Sequence, residues 1–312
     1  MVSRPGEALV ECVPNVSEAR RPEVMDAVQA AVDGVRGVVL LDRHADPVHN
    51  RMVLTFAGPP GPVAEAAFRC VARSAELIDL RQHRGVHPRM GATDVVPFVP
   101  LGSTRMAVCV ELAHRVGRRI SAELDLPVYL YGEAAPRPER RRLPDIRRGE
   151  YELLVKRVGS DPRAAPDFGP PRVGPAGATA VGARPPLIAY NVTLSTADLR
   201  VAQAIARAIR ESSGGLPAVQ ARGFPTADPG VVQVSMNLLD YRQTPLWIVF
   251  NAIHKQAQQR GVEILASELV GLAPAEALVD VARQALRFSR LDASSVIETR
   301  LLAFSLGALE QP

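Results

Sequence analysis

Apolar and polar positions along this chain follow two periods, and the switches between them occur in the same order twice. Residues 9–14 alternate as a strand, and residues 22–32 repeat at helical spacing. Residues 37–41 and 51–56 read as strands around a polar connection. Residues 62–78 carry a long amphipathic helix, and residues 94–100 a further strand. The order is β-α-β-β-α-β. A helix over 104–123 and a strand over 128–130 follow. The second half repeats the order: strand 187–191, helix 197–209, strands 219–223 and 231–238, helix 246–259 and strand 263–267. This predicts an α+β fold of two ferredoxin-like (βαββαβ) subdomains. Each would bury one sheet face against two helices and leave the other free to face a cleft. The first strands end alike, in Asn15-Val16-Ser17 and Asn191-Val192-Thr193, where amide and hydroxyl groups are expected to cap the following helices.

Between the halves lie an arginine- and proline-rich run, residues 137–148, and a Pro/Gly-rich stretch, residues 160–177. The arginine run reads as a solvated surface. The second stretch is long for a compact domain, as a linker or binding loop would be. The expected subdomains are residues 1–177 and 178–312.

The composition, 47% hydrophobic and 22% charged, is that of a globular protein with a sizeable core. A net charge of +4 suits an anionic small substrate but is too dispersed for nucleic acid. Cys12, Cys70 and Cys109 are far apart and sit in apolar segments, which predicts buried thiols and a reducing, cytoplasmic setting. No apolar run is long enough to span a membrane, and the polar N-terminus lacks a secretion signal.

Chemistry concentrates in three places. Gly85, Pro88 and Gly91 frame His87 on a connection between a helix and a strand, where catalytic groups are often held. Asp42, His44, Asp46, His49, Asn50 and Arg51 cluster after one strand, and Asn15, Ser17 and Glu18 end another. Topology would bring these strand ends to one sheet edge. His83 and His87 are four apart, but Gly85 and Pro88 break the helix that a zinc pair at that spacing needs, so no metal is expected. Nucleophile-elbow, phosphate-loop and dinucleotide motifs are missing from the sequence. What remains is a histidine acid/base, able to remove and return one proton near neutral pH. That suits transfer of a one-carbon group between two amines.

Six segments in order carry a resemblance: residues 11–18 (ECVPNVSE), 87–92 (HPRMGA), 94–98 (DVVPF), 127–132 (PVYLYG), 166–170 (PDFGP) and 267–272 (SELVGL). Together they resemble the glutamate formimidoyltransferase family in its stand-alone form, which would lack a cyclodeaminase domain. The resemblance implies a duplicated formiminotransferase fold, a homodimer and a folate channel between subdomains. It implies transfer of a formimino group from N-formimino-L-glutamate to tetrahydrofolate as co-substrate, in histidine degradation and one-carbon metabolism. His87 maps onto the family's catalytic histidine, and residues 169–177 onto its folate loop. Candidate donor- and folate-binding residues are Asn15, Asp42, Asp46, Asn50, Arg51, Arg89, Gly169, Pro170, Gly174, Gly177 and Arg184. Departures from the family pattern include Ala19, His44, Ala176 and Trp247. Formyl transfer from 5-formyltetrahydrofolate and a non-catalytic folate-binding role are the alternatives.

Overall fold

The computed structural model describes residues 8–305, which form two compact units divided between Arg184 and Pro185. The first unit contains β1 (Leu9–Cys12), β2 (Asn15–Val16), α1 (Pro22–Asp33), β3 (Val39–Asp46), β4 (Arg51–Gly58), α2 (Pro60–Leu77), β5 (Thr93–Leu101), α3 (Met106–Leu124), β6 (Val128–Gly132), α4 (Leu143–Ile146), α5 (Glu150–Arg157) and β7 (Thr179–Ala183). Its seven strands lie in the order β3, β4, β1 with β2, β5, β7, β6. β1 and β2 are one strand interrupted at Val13 and Pro14, and both pair antiparallel with β4 and β5. β7 lies between β5 and β6, parallel to both. It belongs to the first unit, so the division falls after Arg184 rather than at the expected residue 177.

One face of this sheet is closed by α1, α2 and α3. Val28 and Val32 of α1, Val63 and Cys70 of α2 and Ile120 of α3 bury against Met52, Leu54, Phe56 and Phe98 of the strands. Full burial of such side chains is worth roughly 1.5–3 kcal/mol each. On the opposite face, Leu143, Ile146 and Leu154 of the short helices cover only the patch formed by Met90, Val95, Tyr129, Tyr131, Ala178 and Ala180. These short helices leave uncovered the strand ends that carry Asn15, Asp42, His44 and Asp46, whose side chains are half-buried.

The second unit contains β8 (Ile188–Leu194), α6 (Leu199–Ile209), β9 (Val219–Pro225), β10 (Val232–Leu238), α7 (Leu246–Gln258), β11 (Ile264–Val270), α8 (Ala275–Ala285) and α9 (Ile297–Ser305). Its antiparallel sheet runs β9-β10-β8-β11. The first unit places its corresponding strands in the same sequence, so the repeated order of elements is a repeat of α+β architecture.

Three sequence expectations are corrected. Asp42, His44 and Asp46 lie within β3, not in a connection; the turn is Pro47–Asn50. The Asn-plus-hydroxyl pairs do not cap helices. α1 begins after Arg21 with no side-chain cap, and α6 is capped by Asp198, which accepts from the Arg200 amide at 2.9 Å. Ser17 instead donates its hydroxyl to the Gly91 carbonyl at 2.7 Å. The arginine run is not uniformly solvated. Arg140 is buried and pairs with Asp167 at 2.6 Å, and Arg147 reaches into the open face.

Candidate active site

The open face is built by strand register. Directly opposed residues of an antiparallel pair share a face. Arg43, opposite buried Leu54, points to the helix side and bonds Asp26 at 2.7 Å and Gln29 at 2.8 Å on α1. Its neighbours in alternation, Asp42, His44 and Asp46, therefore share the other face with Thr55, Val53 and Arg51. Asn15, opposite Val53, joins them. On the other side of β2 the register slips: Asn15 opposes Val95 while Val16 opposes Thr93. Asp94 is the extra residue, a bulge that turns its carboxyl toward the same face. There Asp94 accepts from the Met90 amide at 2.8 Å and forms an ion pair with Arg147. Arg147 follows α4, whose Leu143 and Ile146 are anchored on the tyrosine patch.

His87 stands on the loop from α2 to β5, and that loop is fastened at several points. Asn50, in left-handed geometry at φ 50°, accepts from the Ala19 amide at 2.9 Å and donates to the Arg84 carbonyl at 2.9 Å. Its own carbonyl lies 3.0 Å from His83 Nε2. Gly85 presses so closely on the turn that a Cβ would sit 2.4 Å from the His49 carbonyl oxygen. Gly91 is equally constrained, since a Cβ there would meet the Ala178 carbonyl oxygen at 2.0 Å. The glycines of the motif are thus required by backbone packing.

The His87 ring is half-buried, edge-on to His49 at 6.4 Å between centroids. No hydrogen bond reaches it among the described residues. Burial, then the positive charges of Arg51 and Arg147, hold its pKa far below the ordinary imidazole value. His87 is therefore neutral at physiological pH, the form a general base requires. Burial also lowers the pKa of His83. Both histidines refuse protons that the unfolded chain accepts below pH ~6.5. Stability contributed by neutral His87 and His83 is then present above that pH and lost as pH falls below it. Urea unfolding should show less stability at pH 5 than at pH 7, with a smaller difference in His87→Asn. An unchanged pH dependence in that variant would contradict the shift at His87.

The family profile described as "Formiminotransferase domain, N-terminal subdomain" matches residues 9–184, and "Formiminotransferase domain" matches residues 189–307. The chain belongs to the formiminotransferase family. It is similar to the glutamate formimidoyltransferase of Thermoplasma acidophilum, at 44% identity over 94% of this chain and 97% of that one. The glutamate formimidoyltransferase of Streptococcus pyogenes is 42% identical over 94% of this chain and 99% of its own. The formimidoyltransferase-cyclodeaminase of Gallus gallus is 45% identical, with 91% of this chain matching 53% of that protein.

Within this formiminotransferase chain the expected site residues divide into groups. His87 and Arg51 come together. Asp46 reaches them through His49, whose Nδ1 it contacts while also accepting the Val48 and His49 amides at 2.8 and 3.0 Å. Asp42 and Asn15 occupy the same face; the Asn15 amide is turned to the Val13 carbonyl at 3.3 Å. Asn50 is buried as a fastener. Arg89 is committed elsewhere, to Glu152 at 2.7 Å, Glu150 at 3.0 Å and His83 Nδ1 at 3.3 Å, so its guanidinium supports α5 rather than a ligand. Arg184 directly follows β7, close enough to Glu11 and the Tyr131 hydroxyl to act on both. Glu11 opposes Ala57 and Asn15 opposes Val53, so the Arg184 group lies about 13 Å along the strands from the Asn15 row.

The folate-loop candidates split as well. Gly169, at φ 95°, abuts the Leu126 carbonyl, where a Cβ would lie 2.5 Å away. Gly177 pairs with Gly91, and the Pro175 and Ala176 carbonyls accept from Leu80 and Ala92 at 2.8 Å each. The stretch from Gly169 to Pro175 is largely exposed; between its ends it is tethered by Arg172 to Asp125 and by Tyr151, whose hydroxyl donates to the Gly174 carbonyl at 3.3 Å. Pattern reasoning missed Arg147 and Asp94. A one-turn helix gives no readable period, and a bulge leaves no mark in composition. Cys12, Cys70 and Cys109 are buried free thiols; burial raises all three, Cys70 and Cys109 to about 12, so none is an activated nucleophile. Among the described residues no group of three or more His, Cys, Asp or Glu side chains is arranged to hold a metal ion. No helix there is long and apolar enough to cross a membrane.

Proposed function

We propose that this chain transfers a formimino group from N-formimino-L-glutamate to tetrahydrofolate, with His87 as the acid/base and both units ferredoxin-like. The observation that carries the reading is a neutral, half-buried imidazole beside two guanidinium groups on the open sheet face. It takes its weight from membership of a family whose relatives bear the transferase name. Tetrahydrofolate supplies the accepting secondary amine. His87 removes the proton from that amine as the new C–N bond forms. It then delivers the same proton to the glutamate nitrogen as the old C–N bond breaks. No electrons are exchanged, and the histidine ends neutral, as it began. Arg51 and the Arg184 group, at opposite ends of the face, suit an anionic donor and the carboxylates of a folate. Of the folate loop, the stretch from Pro170 to Gly174 is the part free to respond to a ligand.

Purified protein should consume N-formimino-L-glutamate only when tetrahydrofolate is present, releasing L-glutamate in equal amount. Offering 5-formyltetrahydrofolate and glutamate in parallel tests the formyl reading. Turnover with the formyl donor alone would replace the formimino assignment, and turnover with neither would remove the catalytic one.

A further inference from the structure

We propose that Arg147 and Arg51 together form a clamp for one carboxylate of the amino-acid donor, making Arg147 a specificity-determining residue. The inference rests on the proposed reading for the donor's identity, but its geometry is independent of it. The two arginines come from segments far apart in sequence, one opening β4 and one following α4, and they converge on His87. Each is close enough to the other for their charges to repel. The Nε atoms of both are buried with no hydrogen-bond partner among the described residues. Asp94 balances Arg147, and the nearby Asp46 is engaged by the His49 ring and turn. Arg51 feels the charges of Asp46 and Asp94 but forms no ion pair with either among the described residues, so donor N–H groups of both guanidiniums are left without an acceptor. Buried guanidinium N–H groups without hydrogen-bond partners are unfavourable unless something binds there. A guanidinium presents parallel N–H donors in a fixed fork that matches a carboxylate, so the missing group is a carboxylate rather than a point cation or a neutral amide.

The clamp also links binding to proton transfer. A carboxylate between Arg51 and Arg147 offsets the two charges that oppose a proton on His87. The donor thus prepares the imidazole to accept the proton that the reaction generates. An analogue with an amide in place of that carboxylate loses this preparation as well as the contact.

Calorimetric titration with L-glutamate, glutarate and glutaric acid monoamide, without folate, tests the clamp directly. Wild-type protein should bind L-glutamate. Arg147→Gln and Arg51→Gln should each weaken that binding by about 30-fold or more, the loss typical of truncating one partner of a buried charge pair. Arg147→Lys should restore part of it, and Arg148→Gln, at an exposed neighbour, none of the loss should appear. Because Arg147→Gln strands Asp94, the double variant Arg147→Gln/Asp94→Asn is measured too. It should fold and still bind weakly. In turnover, Arg147→Gln should raise KM for the donor and leave KM for tetrahydrofolate unchanged. Wild-type affinity for L-glutamate in the folded double variant would overturn the proposal. Arginine-dependent binding of glutamate in a protein that transfers neither group would uphold the clamp and refute the reaction.

Discussion

His87→Ala should lower kcat by about 10²-fold to 10⁴-fold, the contribution of a positioned general acid–base. The melting temperature should hardly move. No hydrogen bond ties the ring to the described residues, and its burial beside Arg51 and Arg147 is a cost whenever it is charged. Steady-state assay with circular dichroism on the same samples separates the two effects. The loss should reside in kcat more than in KM, because binding rests on the arginines and the backbone around the loop. A variant that turns over at near wild-type rate would remove His87 from the chemistry, and a variant that fails to fold would move it into the scaffold.

Asp167→Ala should destabilise the first unit by about 3–5 kcal/mol, the range for breaking a buried ion pair from one side. Asp167 and Arg140 are almost fully enclosed, with side-chain exposures of 7% and 5%. The same carboxylate oxygen accepts the Leu130 amide at 2.8 Å, fixing the loop against β6. Arg140 also donates to the Ala165 carbonyl and lies over the Tyr129 ring at 5.1 Å. Removing Asp167 leaves a buried guanidinium with no counter-charge. Thermal and urea unfolding should show the loss, and Asp167→Ala/Arg140→Met should recover part of it. An unchanged midpoint would mean that the pair contributes nothing beyond its own desolvation.

The Asp167 prediction also revises the motif around it. Residues 166–170 form the motif that leads into the expected folate loop at 169–177, yet Asp167 and Gly169 are explained by contacts inside the fold. Much of the architecture was readable because its elements are long and periodic. Residues 60–77 of α2 and the alternating strands of both units show their inward faces in sequence alone. His87 was legible through its glycine and proline frame. Arg147 was not, since nothing in the run separates it from the exposed Arg141, Arg142 and Arg148, and only the packing of Leu143 and Ile146 distinguishes it. Arg89 misled for the opposite reason: it sits inside the most recognisable motif, but its partners Glu150 and Glu152 are about sixty residues away in sequence. Proximity of the motif said nothing about where that guanidinium is neutralised.

β7 sets the order in which the first unit is completed during synthesis. All five of its residues are buried, and it fills the slot between β5 and β6 after both have been made. Until residue 183 has left the exit tunnel, β5 and β6 lack the strand that both pair with in the finished fold. Non-local parallel pairing of this kind is slow, and open edges are prone to pairing with the wrong strand. The residues just upstream of β7 also close on the loop that carries His87, through Gly91 and Gly177. The loop that carries His87 thus receives its last support only when the final strand of its unit arrives, so a nascent chain stopped short of that point carries the histidine without the frame that holds it.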